Sequence, residues 1–244
     1  MLILLGVFGL GLLAGFLNVM AGGGSLLSLP ILIFLGLPVA AANGTNRFAI
    51  LIQNIAAVAS FKRQGYSDIK SGLAYALATV PGAIAGAFVA VSVDEKLFRA
   101  VLAVVLVLSV AVLMFPKRNK QATTEVSTVN RVAAFIAFFA IGFYGGFIQA
   151  SVGFLLMITL HRLLGIDLVR TNMHKVLIIM VFSVPALAVF ISTDNVVWTM
   201  AAVLAVGNAL GAIAATRLAV KGGERPIRIV LGFALLLMAV RLVM

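Results

Sequence analysis

The stretch "NVMAGGGSLLSLP", Asn18 to Pro30, decides the fold, because of what lies on either side of it. The apolar runs "LILLGVFGLGLLAGF" and "ILIFLGL" flank it. Three successive glycines disfavour a helix, each by roughly 1 kcal/mol against alanine. A broken helix in hydrocarbon leaves N–H and C=O groups without partners, which is tolerated only where the irregular backbone is buried in protein or lines a cavity. The composition says that hydrocarbon is the solvent. Of 244 residues, 63% are hydrophobic and 10% charged, whereas soluble domains carry about 25% charged residues. Mean hydropathy is +1.21. No segment alternates as a barrel strand would, so the chain reads as an all-α polytopic membrane protein. It has no cysteine, which removes disulfides, thiolate chemistry and cysteine-based metal sites. The first segment has no basic flank and no small-residue cleavage site, and reads as mature structure, not a signal peptide. The net charge of +11 sits on short loops, which fits basic loops on the inner side of a membrane better than a nucleic-acid partner.

Working outward from the glycines, the apolar runs fall into two sets. Residues 1–115 hold a hairpin, 2–37, and helices over 41–61, 69–92 and 96–115. A polar stretch, 116–130, reads as a cytoplasmic linker. Residues 131–244 hold a hairpin, 131–165, and helices over 168–191, 196–220 and 226–243. The runs 24–37 and 153–165 are too short to cross upright, since a spanning helix needs roughly 20 residues. Basic residues cluster in four regions, around Lys62–Lys70, Lys117–Arg131, Arg162–Lys175 and Arg217–Arg228, which hold 14 of the 18 Lys and Arg. Placing all four in the cytoplasm requires both termini outside.

A shift of 129 residues lays the second set on the first. "PGAIAGAFVAV" falls on "LGAIAATRLAV", "AGGGSLL" on "ASVGFLL", Gly36 on Gly165, Asn43 on Asn172, Glu95 on Glu224 and Arg99 on Arg228. The basic loop 62–70 falls on an uncharged loop, and the near-neutral loop 92–99 on a basic one. Equivalent loops thus lie on opposite sides. The fold expected is two inverted-topology repeats, each a broken or re-entrant hairpin plus three transmembrane helices. "AGGGS" is then the tip of the first hairpin and "QASVG" that of the second, and the tips meet near the midplane, where transporters built this way bind substrate. Within the first tip, Gly23 is the expected point of close backbone approach. Gly6, Gly9, Gly11 and Gly15 read as helix packing.

These residues carry a resemblance. "GFLNVMAGGGSLLSLP" followed by "GLPVAAANGTNRFAILIQN", with a weaker second copy "GGFIQASVGFLLMITLHRLLGIDLVRTNMHK", resembles the TauE/SafE family of sulfite-exporter-like membrane permeases over essentially the whole chain. The second copy departs from the family's form, with "ASVG" where many members keep a glycine-rich tip. The resemblance implies a permease for a small anion, sulfite, a sulfonate or a related sulfur-containing organic anion.

Ionisable residues at membrane depth are functional hypotheses by default. Arg47 follows Asn43, Thr45 and Asn46; Lys175 follows Thr171 and Asn172 in the equivalent region. Asn and Thr suit helix N-caps, and helix N-termini attract anions. Arginine adds a two-pronged donor for the oxygens of a sulfonate or carboxylate. The candidate substrate-binding set is Asn18, Gly22, Gly23, Gly24, Ser25, Gln149 and Ser151 at the tips, with Asn43, Thr45, Asn46, Arg47, Thr171, Asn172 and Lys175 at the two helix starts. The plain alternative is that the cations snorkel to the interface, and for Lys175 that reading is preferred. His174 is the one near-membrane group suited to proton coupling.

The function expected is a secondary transporter moving a small sulfur-containing anion across a prokaryotic-type plasma (inner) membrane by alternating access. An anion channel and a non-transporting subunit of a complex are the alternatives. An enzyme is disfavoured, since the segments carry no nucleophile–base pair and no metal-ligand cluster. No cofactor or metal is expected. The partners are the anion and the lipid bilayer, with no nucleic acid; a coupling ion, H+ or Na+, and a homo-oligomer are left open.

Overall fold

A computed structural model describes residues 1–114, 131–164, 167–223, 225–226 and 229–230, which form helices and short turns with no strand among them. The expected linker 116–130, most of the expected last helix 226–243 and the end of the hairpin 131–165 lie outside the described residues. The helices are α1 (Leu2–Ala21), α2 (Ser25–Phe34), α3 (Val39–Arg63), α4 (Ile69–Ser92), α5 (Glu95–Met114), α6 (Arg131–Phe147), α7 (Val152–Leu164), α8 (Leu168–Ser192) and α9 (Trp198–Gly222).

Local chemistry sets the helix ends. Gly22 stops α1 by turning left-handed, at φ 77°, while its N–H bonds back to Asn18 O at 2.9 Å and Leu17 O at 3.2 Å. That conformation costs glycine nothing and other residues about 1–2 kcal/mol. Pro38, with φ −52°, precedes the first residue of α3 and caps it with no side-chain bond. Asp167 caps α8, its carboxylate accepting from the Val169 and Arg170 N–H groups, each at 2.9 Å. These caps correct one expectation. Asn43, Thr45, Asn46, Thr171 and Asn172 are not N-caps. Proline and aspartate take the cap positions, and the asparagines and threonines lie inside the helices.

Among the described residues, four helices are long and apolar enough to cross a membrane: Leu2–Ala21, Gly72–Ser92, Leu168–Ser192 and Trp198–Gly222. The first arm of the first hairpin is thus of spanning length, while the second, α2, has 10 residues. The helix α3 is 25 residues long but too polar to join the four. It carries Asn43, Thr45, Asn46, Arg47, Gln53 and Asn54, all buried. The polar helix is therefore at the centre.

Small residues set which helices touch. A Cβ on Gly11 or Gly15 of α1 would strike the backbone of Leu204–Asn208 in α9, and one on Gly142 or Gly146 of α6 would strike Thr79 and Ala83 of α4. Small residues four apart let backbones approach closely, which drives helix association where lipid removes the hydrophobic difference. Gly6 and Gly9, by contrast, face open space, so the packing expectation holds for Gly11 and Gly15 and not for these two. The contacts also give directions. Gly207 lies on Phe8 and Gly211 on Leu12, so α1 and α9 run parallel. Gly142 on Thr79 and Gly146 on Ala83 make α6 and α4 parallel. The start of α3 lies against the end of α8, with Gly44 on Phe190 and Asn195, so α3 and α8 are antiparallel.

Candidate functional site

The two hairpin tips touch. Gly22 and Gly153 pack backbone to backbone, with an added Cβ on Gly153 falling 2.7 Å from Gly22 Cα. Gly24 packs against Ala14 O and sits so close to Asn18 that its Cβ would lie 2.7 Å from the Asn18 Cβ. Gly23 differs from the expectation: a Cβ there meets only Leu26 Cδ1, at an ordinary 3.6 Å. The close approaches belong to Gly22 and Gly24, and Gly23 is the one of the three with room for a side chain. The second tip has no glycine at its bend. It uses Gln149 (φ 62°) and Ser151 (φ 60°) instead, conformations that non-glycine residues hold only when the surroundings force them and that cluster at functional sites.

Both candidate cations are buried beside the tips. The Arg47 guanidinium donates from Nη1 to Gly145 O at 3.0 Å and from Nη2 to Gly146 O at 2.7 Å. Its Cζ lies 4.9 Å from the centre of the Phe190 ring, within cation–π range. The Lys175 Nζ donates to Asn18 O at 3.0 Å, Val19 O at 2.6 Å and Asn172 Oδ1 at 2.8 Å. Both residues are 0% exposed. Snorkelling, the preferred reading for Lys175, is therefore corrected. Each side chain turns inward to the last turn of a hairpin arm, where carbonyls with acceptor capacity to spare and partial negative charge attract a cation. Arg47 serves α6 and Lys175 serves α1.

The remaining expected residues are mostly drawn into the same region. Asn18 Nδ2 donates to Gln53 Oε1 at 3.3 Å, and Gln149 Nε2 to Ser183 Oγ at 3.1 Å. Asn43 Nδ2 donates to Phe147 O at 2.7 Å, Ser28 Oγ to Asn46 Oδ1 at 2.7 Å. Thr45 is set apart, its Oγ1 accepting from the Val197 N–H at 2.9 Å to tie the start of α3 to the start of α9. Ser25 and Thr171 are buried; Thr171 N–H bonds to Asp167 O at 2.9 Å in the first turn of α8. His174 packs against Gly72 of α4, with Nε2 3.8 Å from the Asp68 carboxylate. Ser28 and Ser183 escape the sequence reading, since a lone serine in an apolar run looks like filler. The one signal was that Ser183 falls on Asn54 at a spacing of 129.

Several buried polar atoms have no hydrogen-bond partner among the described residues, which is uncommon in folded proteins. Those near the tips include three donors, Arg47 Nε, Asn46 Nδ2 and Asn172 Nδ2, and also Asn43 Oδ1, Gln149 Oε1 and Ser151 Oγ. Of the described acidic residues, Asp68, Asp94, Glu95, Asp167 and Asp194, all are exposed. The region therefore holds two buried cations and no buried carboxylate among the described residues.

Among the described residues the chain is all-helical, with helices of membrane-spanning length and an inward-facing polar, cationic centre, the architecture of a polytopic membrane protein. The pattern of the family described as "Sulfite exporter TauE/SafE" matches residues 7–242, and the chain belongs to that family. Relatives of known name are "Probable membrane transporter protein ORF9" of Sinorhizobium sp, 28% identical over 94% of this chain and 88% of its own, and "Probable membrane transporter protein YfcA" of Escherichia coli (strain K12), 30% identical over 93% of this chain and 84% of its own. A "Probable membrane transporter protein" of Haemophilus influenzae is 24% identical over 93% of this chain and 90% of its own. No solved structure is significantly similar. Family and relatives alike indicate an integral membrane transporter and not an enzyme.

Proposed function

We propose that the chain is a secondary transporter that moves a small sulfur-containing anion, such as sulfite or an organosulfonate, by alternating access, and that it binds the anion where the hairpin tips meet. The observation that carries this reading is the pair of buried cations with no buried carboxylate among the described residues. Buried charge is normally paired, and a bound anion would supply the missing charge. Arg47 Nε, Asn46 Nδ2 and Asn172 Nδ2 are unspent donors for its oxygens. Arg47 is the direct ligand in this reading. Lys175 acts through its field, since all its protons are engaged.

Two inverted repeats, 1–115 and 131–244 about the linker 116–130, complete the proposal. It is supported by the antiparallel α3 and α8, whose bounds, Val39–Arg63 and Leu168–Ser192, are offset by 129 at both ends. Gly65 and Asp194, left-handed at φ 87° and 54°, share that spacing. The reciprocal cation contacts add to it. Asn18 and Val19 correspond to Gly145 and Gly146 at a spacing of 127, as though the second tip had gained two residues at the bend.

The test is a thermal-shift series on purified protein with sulfite, sulfate, thiosulfate and alkyl sulfonates at constant ionic strength, followed by uptake into proteoliposomes. Saturable stabilisation by one of these classes, matched by uptake of the same class, is expected. Neither stabilisation nor uptake with any of them would reject the anion site.

A further inference from the structure

The surroundings of Lys175 are those of a bound ion. Asn18 O, Val19 O and Asn172 Oδ1 stand 3.0, 2.6 and 2.8 Å from Nζ, and Met157 Sδ is 3.7 Å away. All three oxygens only accept, so each takes a proton from the nitrogen. An ammonium has three to give and a neutral amine two, so with the Asn172 amide oxygen turned to Nζ the contacts match an ammonium. Two of the oxygens are carbonyls at the end of a helix that stops inside the protein, at the negative end of its dipole. Carbonyls at such interrupted ends, joined by a side-chain oxygen, are the donor set with which broken-helix transporters hold a free monovalent cation. Here the chain fills that place from the neighbouring helix.

We propose that Lys175 is a tethered counter-cation: its ammonium occupies a monovalent-cation site formed by Asn18 O, Val19 O and Asn172 Oδ1, so that transport draws no free cation at this helix end. The proposal stands whether or not the anion site assigned above is right, because it concerns what neutralises α1. It distinguishes a site from a mere contact. A site, once emptied, accepts a free ion that fits, whereas a contact, once removed, stays lost.

The experiment reads thermal unfolding of the purified full-length protein, with no candidate substrate, in chloride salts of choline, Na+, K+, ammonium and methylammonium at constant ionic strength. The wild type is expected to unfold at the same temperature in all five. Lys175→Gly, which empties the site, is expected to unfold about 5 °C or more lower in choline and to regain at least half of that loss, saturably, in one of the small cations. Lys175→Met, which refills the volume without charge, is expected to be destabilised and not recovered by any salt. A wild type that responds to Na+ or K+, or a Lys175→Gly protein that no small cation recovers, would overturn the proposal. Should Lys175→Gly not accumulate, Arg47→Gly at the reciprocal end of α6 is measured with guanidinium and methylguanidinium at low millimolar concentration. That measurement reads only the equivalent arrangement at α6; for the Lys175 site itself Lys175→Ala is then measured in the same five salts, saturable recovery in one small cation supporting the proposal and recovery in none overturning it.

Discussion

At the residue scale, Arg47 is the most informative position. Its two Nη groups are committed to carbonyls of α6 and its Nε–H is not, so one side chain closes a helix end and leaves a donor over. Arg47→Lys replaces that fork with a point charge. It should keep the protein folded but weaken anion-dependent stabilisation by about tenfold or more, the scale of one charge-assisted hydrogen bond, as measured by titrating the thermal shift. The glycine tip offers a second test. Gly22→Ala forces a left-handed alanine against the Gly153 backbone, and should lower stability by about 2 kcal/mol or more. Gly23→Ala should leave it unchanged, since its Cβ has room; equal losses in the two would show that the tip is not packed as described. The sequence singled out Arg47, Lys175 and the tip residues because charge and glycine are conspicuous in an apolar chain. It could not show what Arg47 and Lys175 hold, because their main partners are backbone carbonyls 98 to 157 positions away, and every residue type presents the same carbonyl.

At the scale of elements, packing between the hairpin arms and the α4 and α9 helices depends on side chains that are barely there. Gly15 sits against the Asn208 backbone while Gly9 faces open space on the same helix. Gly15→Ala should therefore lower the unfolding temperature by about 5 °C, and Gly9→Ala should leave it unchanged or raise it. A protein indifferent to both would mean that α1 and α9 are not in close contact. Helix positions were legible from hydropathy, since spanning length and apolarity are properties of the sequence itself. The equal lengths of α3 and α8 and their offset of 129 agree with the match of Asn43 to Asn172 in the sequence. The bend of the second tip was not. The one glycine of "QASVG", Gly153, lies past the bend, and nothing in Gln149 or Ser151 announces the left-handed backbone that both adopt.

At the scale of the whole molecule, the proposed inverted arrangement and the basic loops together make a prediction about which side each end faces. Both termini should lie outside the cytoplasm, as the distribution of basic loops requires. Because the chain has no cysteine, a single cysteine added at Met244 and probed with a membrane-impermeant thiol reagent in intact cells reports its side directly; protection until lysis would reverse the orientation. A consequence for biosynthesis follows from α3, the buried helix that carries Arg47 yet is too polar to count among the spanning helices. An arginine in an isolated helix costs up to about 2.5–3.5 kcal/mol, the value at the helix centre, on entering the bilayer from the translocon, and the carbonyls that compensate Arg47 belong to Gly145 and Gly146, which the ribosome makes nearly a hundred residues later. The first half should therefore emerge as a poor membrane substrate, with α3 waiting at the translocon or the interface until α6 and α8 arrive. A chain truncated after residue 114 should then insert α3 inefficiently in a glycosylation-mapping assay and be degraded quickly, and co-expressing residues 131–244 as a separate chain should rescue it.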